Sequence, residues 1–593
     1  MSLAPALPLQ RPADLERQRY ELARARQLAR AWAETLPEPR RRDMAALFTR
    51  AAIDTYRLQA RPHARLSPPF AQPYGQLDAA VADLAQAVGR EAASLPIGEA
   101  VYFLTGLYTT LLAARERGAL GAFYTPPALA ARLFDLADEQ GIDWTKARVL
   151  DPASGGGAFL LPAAERMITA LPAAEPAFVL RQIGARLLGL ELDPYAAGFG
   201  QNAIELLLAD VTTAAGRAAP IVVRVADAIE EAPSARFDLV IGNPPYGRVT
   251  LTPEQRARFA RSLYGHANLF GVFTDIAVRW TKRGGTIAYL TPTSFLSGHY
   301  YSALRAMIAK EAPPVAIDFV HARRGVFEDV LQETLLAAYR RGAKPGRAQV
   351  HYVQVASERE AHVIRNGTIG LPSPPSQPWL APREPGHSRL IAAAEDMPAR
   401  LADWGYSVST GPLVWNRFKG QMRQRPAKGV HPLIWAEAIT ADGRFVFRAE
   451  KRNHAPYFKI ERGDAWLLVE EACVLVQRTT AKEQARRLIA AELPADFIAA
   501  HGGVVVENHL NMVRPALRPS VSPATVAAVL NSLVVDQLFR CINGSVAVSA
   551  FEMEAVPLPY PAAMRRVEEL VSSGACSSAI ERELMRLYGQ DAA

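Results

Sequence analysis

Asn243, Pro244, Pro245 and Tyr246 are the residues of this sequence best suited to chemistry. They follow Phe237–Ile241, an apolar run typical of a buried strand, and the two prolines favour a stiff extended turn because neither has an N–H group. The Asn243 side-chain oxygen and the Pro244 carbonyl could together accept both hydrogens of one exocyclic amino group, while the Tyr246 ring stacks on its heterocycle. This pattern predicts chemistry on the amino nitrogen of a nucleobase. Taken alone, the tetrapeptide is equally consistent with an ordinary turn after a core strand.

Acidic residues are expected at the ends of three other strands. Asp151 ends a short apolar run and precedes Gly155–Gly157, a turn through which the main chain can approach a ligand closely. Glu191 lies at the end of the second run, and its two oxygens suit a ribose diol. Asp227 ends the third run and could accept a hydrogen bond from an adenine amino group. Because the carboxyl ends of parallel strands meet at one edge of a sheet, these acids and Asn243 are expected around one crevice.

Amphipathic helices alternate with these strands. We expect helices over Ala128–Ala137, from Ala158 onward and over Ala196–Leu208. Thr125 is expected to be the N-cap of the first helix, with Pro126 at its first position. The predicted fold class is therefore α/β, with a Rossmann-like core built on an open parallel sheet.

The composition is that of a globular protein without a membrane span. The chain has 593 residues, 49% of them hydrophobic and 21% charged, and no apolar stretch approaches the roughly 18 residues of a transmembrane helix. We expect a cytoplasmic protein. Cys473, Cys541 and Cys576 lie far apart, which argues against disulfides and against a metal site. A net charge of +8 permits a polyanionic partner.

Composition also predicts four regions. Residues 1–118 are expected to form a helical region, which could serve as a cap or a subunit interface, and the Arg40–Arg42 run within it is expected to be a solvated loop. The catalytic domain is expected over 119–365, followed by a proline-rich, semi-rigid linker over 366–392. Residues 393–593 are expected to form a mixed α+β domain that ends in a helix.

The order of these motifs resembles that of a known family. Gly121-Ala-Phe-Tyr-Thr-Pro-Pro127, Asp151-Pro-Ala-Ser-Gly-Gly-Gly157, Glu191, Asp227 and Asn243-Pro-Pro-Tyr246 are similar, in sequence order, to the motifs of gamma-class DNA N6-adenine amino-methyltransferases of type II restriction-modification systems. The resemblance covers about 119–340. It implies S-adenosylmethionine as the cofactor, a methyltransferase core and a C-terminal target-recognition domain.

The resemblance also implies roles for individual residues. Tyr124 and Thr125 would border the methionine end of the cofactor, Glu191 would hold its ribose and Asp227 its adenine. The full predicted cofactor set is Tyr124, Thr125, Asp151, Ala153, Gly155, Gly157, Glu191, Leu192, Asp227, Ala228, Asn243 and Pro244. Asn243, Pro244, Pro245 and Tyr246 would form the catalytic loop, and Phe327 would join Tyr246 in stacking on the target base.

Basic and aromatic residues after the linker predict contacts with double-stranded DNA. Arginine and lysine neutralise phosphates, and arginine can also read base edges. The predicted DNA-binding residues are Arg417, Lys419, Arg423, Arg425 and Arg478. A separate cognate endonuclease is a possible second partner.

Three alternatives stay open. The same loop could hold the amino group of cytosine, which would give N4-cytosine methylation. It could also act on a protein glutamine amide, although the long basic C-terminal region would then have no purpose. A catalytically dead DNA-binding module is the third alternative, and the intact motif set from Asp151 to Tyr246 counts against it.

Overall fold

The computed structural model describes residues 12–121, 125–232, 236–322, 333–480, 486–544 and 547–590. Two residues of the predicted site, Tyr124 and Phe327, lie outside these ranges.

The N-terminal region is helical, as predicted. Its helices are α1 (Pro12–Thr35), α2 (Glu38–Ala60), α3 (Ala79–Ala92), α4 (Ile97–Leu111) and α5 (Ala114–Leu120). The expected loop at Arg40–Arg42 is wrong, because these residues lie in the first turns of α2. Arg41 donates a hydrogen bond to the Leu111 carbonyl (2.7 Å), so the guanidinium joins two helices.

A nine-stranded sheet forms the centre of the molecule. Its strands are β1 (Val149–Asp151), β2 (Leu187–Glu191), β3 (Val223–Val225), β4 (Phe237–Gly242), β5 (Thr281–Pro292), β6 (Pro314–Ala322), β7 (Thr334–Arg340), β8 (Ala348–Val355) and β9 (Ala361–Ile369). The helices between them are α6 (Pro127–Glu139), α7 (Leu160–Thr169), α8 (Pro176–Arg186), α9 (Pro194–Leu207), α10 (Ala209–Ala215), α11 (Pro253–Arg258), α12 (Leu269–Trp280) and α13 (Ser302–Glu311). Apolar side chains of α6, α7 and α9 cover one face of the sheet, and those of α12 and α13 cover the other.

The strand order places the predicted site at a switch point. The order is β3-β2-β1-β4-β5-β7-β6-β8-β9, and the first five strands are parallel. After β1 the chain goes on to β2, which pairs with one edge of β1. The later strand β4 pairs with the opposite edge of β1. A crevice opens at such a point outside the carboxyl ends of the strands. Asp151 and Asn243 lie at the carboxyl ends of β1 and β4, on either side of this point.

The predicted cap of α6 is wrong. The helix begins at Pro127, with Pro126 as its N-cap and with no side-chain cap hydrogen bond. Pro126 and Pro127 lack N–H groups, and the Ala128 N–H donates to the Glu358 carbonyl (3.0 Å), so the Thr125 side chain has no backbone donor to accept from. Its hydroxyl oxygen instead accepts a hydrogen bond from the Asn243 side chain.

The proline-rich segment packs against the core. Trp379 has no exposed surface, and its ring lies edge-on to Phe295 with 5.8 Å between ring centroids. The Trp379 backbone N–H donates to the Leu296 carbonyl (2.8 Å). This segment is therefore anchored where a semi-rigid linker was expected. The division of the chain into domains stays a prediction.

The C-terminal region is mixed α+β. Its strands are β10 (Tyr406–Thr410), β11 (Met422–Arg423), β12 (Val430–Ile434), β13 (Tyr457–Lys459), β14 (Leu468–Val469), β15 (Cys473–Gln477), β16 (Ala490–Leu493), β17 (Val504–Val506) and β18 (Leu510–Pro515). They form two sheets, ordered β10-β18-β15-β16 and β11-β13-β12-β17-β14. The helices are α14 (His387–Glu395), α15 (Ala495–His501), α16 (Pro523–Leu530), α17 (Leu533–Ile542), α18 (Ala550–Glu554), α19 (Arg565–Ser572) and α20 (Ser577–Leu587).

No single helix within the described ranges is long and apolar enough to span a membrane. Helices α16 and α17 meet these criteria only when taken together, and a 67° bend separates them.

Candidate active site

Asn243 is held by hydrogen bonds on both sides of its amide. Its Nδ2 donates to Thr125 Oγ1 (3.2 Å), and its Oδ1 lies 2.7 Å from the Tyr246 hydroxyl. The Thr125 carbonyl in turn accepts a hydrogen bond from the Tyr102 hydroxyl. A chain of contacts therefore links α4 to the loop after β4, across 118 residues of sequence between Thr125 and Asn243.

The Tyr246 hydroxyl points towards the amide group of Asn243. It lies 3.1 Å from the Leu290 carbonyl as well as close to Asn243 Oδ1. A phenol has one proton, so it can donate fully to only one of these two acceptors at a time. When the Tyr246 hydroxyl donates its proton to the Leu290 carbonyl, Asn243 Oδ1 can accept a hydrogen bond from another donor.

Asp151 is a buried carboxylate without a full set of partners. Its Oδ1 accepts from the Ala153 N–H (3.1 Å), whereas its Oδ2 has no hydrogen-bond partner among the described residues. Burial raises the pKa of Asp151 to about 8, the Ala153 N–H opposes this shift, and the charge of Glu191 adds to it. A cation near Oδ2 would stabilise the ionised form.

Glu191 ties the glycine turn to the end of β2. Its Oε2 accepts from the Gly155 N–H (2.7 Å) and its Oε1 from the Asp193 N–H (2.9 Å). Burial raises the pKa of Glu191 to about 7, although these N–H donors favour the charged form. Each oxygen still has a lone pair for a ligand hydroxyl.

A cavity opens beside these residues. Five residues of the predicted cofactor set line it: Thr125, Ala153, Gly155, Glu191 and Asn243. Pro245 of the predicted catalytic loop also lines it. The structure therefore brings residues from the glycine turn, the end of β2 and the loop after β4 to one space.

Six described residues of the predicted cofactor set do not line this cavity: Asp151, Gly157, Leu192, Asp227, Ala228 and Pro244. Gly157 has a positive φ of 88°, and a Cβ there would lie 3.2 Å from the Gly200 Cα, so the turn packs closely on α9. Leu192 is 58% exposed. The Asp227 carboxylate accepts from the Ile229 N–H (2.9 Å), while Ala228 and Pro244 are buried.

Helix α4 contributes lining residues that the sequence motifs did not indicate. They are Tyr102, Thr105, Gly106 and Thr109. The spacing of i, i+3, i+4 and i+7 puts them on one face of the helix. A stripe of small and polar residues on an otherwise apolar helix was the signal that could have revealed them.

A buried ionic contact anchors the N-terminal helices to the cavity. Asp193 accepts from Arg42 (3.0 Å) and from the Tyr108 hydroxyl (2.6 Å), and it is almost fully buried. Because the Asp193 N–H donates to Glu191, this contact also fixes the end of β2. The role of the helical region as a cap or as a subunit interface stays a prediction.

The predicted DNA-binding residues fall into two groups. Arg417, Lys419 and Arg425 are exposed, and Lys419 Nζ lies 5.7 Å from the centroid of the Trp415 ring. Arg423 donates to the Gly420 and Met422 carbonyls, and Arg478 donates to the Asn508 carbonyl (3.2 Å). The first group is accessible to solvent, while the second group supports local backbone.

The fold agrees with the fold class predicted from the sequence. The sheet, with helices on both faces and a crevice between the glycine turn and the loop after β4, resembles the α/β core of S-adenosylmethionine-dependent methyltransferases. The family model that matches the chain is the Eco57I restriction-modification methylase, over residues 222–327.

Curated relatives extend this match along the chain. The type II methyltransferase M.BsuBI of Bacillus subtilis is 24% identical over 468 residues, which cover 75% of this chain and 88% of that protein. The type II methyltransferase M.PstI of Providencia stuartii is 26% identical over 354 residues, covering 58% and 68%. The chain is therefore similar to type II restriction-modification methyltransferases, as the motifs predicted, and the gamma-class adenine arrangement is consistent with these matches.

Two solved structures resemble the chain over most of its length. The type IIL restriction-modification enzyme MmeI, solved in complex with DNA, has a TM-score of 0.49 at 13% identity, covering 88% of this chain and 83% of that one. The type IIG restriction endonuclease BpuSI has a TM-score of 0.43 at 13% identity, covering 90% and 72%.

Proposed function

We propose that this chain is a cytoplasmic, site-specific DNA methyltransferase that transfers a methyl group from S-adenosylmethionine to the N6 amino group of an adenine rotated out of double-stranded DNA. The observation that supports it best is the position of Asn243, at the carboxyl end of β4, beside a cavity that the glycine turn also lines. Similarity to type II methyltransferases supports the methyltransferase activity, and the motif order supports adenine.

The described residues fit S-adenosylmethionine. The Asp151 carboxylate has a buried oxygen that a cationic group would complete, and Glu191 has acceptor positions for the two ribose hydroxyls. Leu192 offers an exposed apolar surface for a flat base. When bound, this cofactor supplies an electrophilic methyl group on a sulfonium.

Asn243 and Pro244 would prepare the amino group. The adenine amino nitrogen is a weak nucleophile because its lone pair is delocalised into the ring. If Asn243 Oδ1 and the Pro244 carbonyl each accept one of its hydrogens, the nitrogen is drawn towards tetrahedral geometry and its lone pair becomes available. The loop thus positions the base and stabilises the positive charge that develops on nitrogen, without a strong base.

The base must leave the duplex to reach this loop. Rotation costs a few kcal/mol of stacking energy, which an aromatic face in the pocket offsets. We assign this role to the Tyr246 ring, whose loop position the two prolines hold. The phenol proton can turn to Leu290 as the amino group takes its place on Asn243 Oδ1.

Double-stranded DNA would be the partner, contacted in part by Arg417, Lys419 and Arg425. Their exposed cationic groups suit phosphates. We propose that methylation protects host DNA, with a separate endonuclease as the other half of the system.

An in vitro assay separates this proposal from its alternatives. The protein is incubated with tritiated S-adenosylmethionine and unmethylated plasmid DNA, and the digested nucleosides are separated chromatographically. We expect label in N6-methyl-2′-deoxyadenosine, and a loss of at least about 100-fold in rate for Asn243→Ala with DNA affinity retained. Label in N4-methylcytosine would show that the target base is cytosine. Label in protein would support methylation of a glutamine amide. DNA binding and cofactor binding without any transfer would support the dead module.

A further inference from the structure

Four aromatic and imidazole rings form an exposed surface close to the loop after β4. Tyr264 lies 4.7 Å from His299 and His266 lies 5.6 Å from Tyr300, measured between ring centroids. All four residues are exposed, Tyr264 by 46% and Tyr300 by 50%. We call these four residues the four-ring surface. Single exposed tyrosines or histidines are ordinary, whereas a contiguous exposed patch of such rings is typical of a binding surface.

Backbone hydrogen bonds join this surface to the catalytic loop. The Val249 N–H donates to the Ala267 carbonyl (3.1 Å), and the Leu269 N–H donates to the Gly247 carbonyl (2.9 Å). The chain that leaves Tyr246 therefore runs antiparallel to the segment that carries His266. Because these hydrogen bonds join the two segments, a displacement of one segment would also shift the other.

Gly265 allows the rings to approach each other. Its φ is +67°, and a Cβ at this position would lie 3.0 Å from atoms of the Tyr300 ring. A side chain here would have to push Tyr300 away, so the glycine serves both the turn and the ring contact.

The other side of the surface meets the C-terminal region. The His299 ring stacks on Phe551 of α18 at 4.5 Å and 22°. Next to it, Ser297 Oγ donates to the buried Glu552 carboxylate (2.6 Å). The four-ring surface thus lies where the α/β core meets the C-terminal region.

Cationic groups border the rings. Arg248 is exposed directly after the catalytic loop, and the exposed Arg256 donates to the Gly265 carbonyl (3.0 Å). Flat rings beside guanidinium groups form the combination that binds unstacked nucleic acid, since rings stack on bases and cations attract the phosphates between them.

We propose that the four-ring surface stacks on DNA bases that lose their neighbour when the target base rotates out. This inference rests on the proposed function, because only base rotation would present such bases beside Tyr246. Every base has a flat face, so this stacking would hold the opened duplex without selecting its sequence.

The test compares two duplexes of equal length, one fully paired and one with a central bubble of unpaired thymines, by fluorescence anisotropy. We expect the wild-type protein to bind the bubble more tightly. The double variant Tyr264→Ala, Tyr300→Ala should lose about tenfold in affinity for the bubble, since base–aromatic stacking is worth that much or more. The dependence of affinity on salt should be unchanged, because every group that neutralises a phosphate is kept.

Two control proteins define the result. Tyr264→Phe, Tyr300→Phe keeps both rings and should keep the preference for the bubble. Tyr20→Ala, Tyr74→Ala removes two other exposed tyrosines, in the N-terminal region, and should also keep it. The inference is overturned if wild type shows no preference, if the alanine variant retains it, or if the phenylalanine variant loses it equally. Methyl transfer by the wild-type protein is measured separately, so failure of the proposed function is seen independently.

Discussion

The phenol group and the ring of Tyr246 have separate roles in this account. The hydroxyl contacts Asn243 and Leu290, whereas the ring is the face that we assign to the target base. Tyr246→Phe leaves the ring and frees Asn243 Oδ1, so we expect kcat within about threefold of wild type. Tyr246→Ala should lower kcat/KM about ten- to a hundredfold because the target base has no ring to stack on. Steady-state methylation kinetics of both variants check this, and equal losses would contradict it.

We expect Asp151 to make the affinity for the cofactor depend on pH. Its pKa of about 8 lies far above the ordinary value of 3.8, and a bound cation favours the ionised form. Cofactor affinity should therefore rise by up to about tenfold per pH unit towards pH 8 and then level off. Isothermal titration between pH 6 and 9 measures this. The Asp151→Asn variant should bind the cofactor weakly, and its affinity should rise less steeply with pH. The rise that remains below pH 7 would come from ionisation of Glu191.

The same group has the opposite effect on stability. Because the folded-state pKa is raised, the folded protein holds more protons than the unfolded chain between about pH 4 and 8, so stability falls as pH rises through this range. Without cofactor, the melting temperature of wild type should fall more between pH 6 and 9 than that of Asp151→Asn. Equal falls would contradict the assignment.

Helix α4 is the element whose role was least visible in the sequence. Tyr102 donates to the Thr125 carbonyl, and Thr125 accepts from Asn243, so we expect Tyr102 to position the predicted catalytic loop. Tyr102→Phe removes one hydrogen bond, worth about 1 kcal/mol. We expect kcat to fall about fivefold while the dissociation constants for cofactor and DNA stay within twofold. Tyr20→Phe, on the exposed side of α1, is the control; a change in cofactor affinity alone would contradict the positioning role.

The local sequence predicted the strands of the core correctly, but it did not predict which distant residues their side chains and loops contact. The runs that end at Asp151, Glu191 and Asn243 are short and apolar, so their strands could be predicted directly. Thr125 was misassigned as a cap because its true partner lies 118 residues away and nothing local indicates it. Arg42 was expected in a loop for the same reason: its partner, the buried Asp193, belongs to the end of a distant strand.

Across the whole molecule, the exposed cations of the C-terminal region should set the electrostatic part of DNA affinity. Replacing Arg417, Lys419 and Arg425 with glutamine should reduce the slope of log affinity against log salt by about 0.9 for each phosphate that is no longer neutralised. Anisotropy titrations at several salt concentrations measure this slope. Lys146→Gln, an exposed cation just before β1, should leave it unchanged. An unaltered slope in the triple variant would place the DNA elsewhere.

We expect Asn243 to be required for methylation of adenine in one DNA sequence. The most direct measurement is single-molecule sequencing of DNA from a methylation-free host that expresses the wild-type chain, beside a host that expresses Asn243→Ala. We predict N6-methyladenine in one recurring motif with wild type, and none with the variant at equal protein levels. Unmodified DNA in cells that contain folded, cofactor-binding wild-type protein would contradict the claim, as would modification that persists in Asn243→Ala.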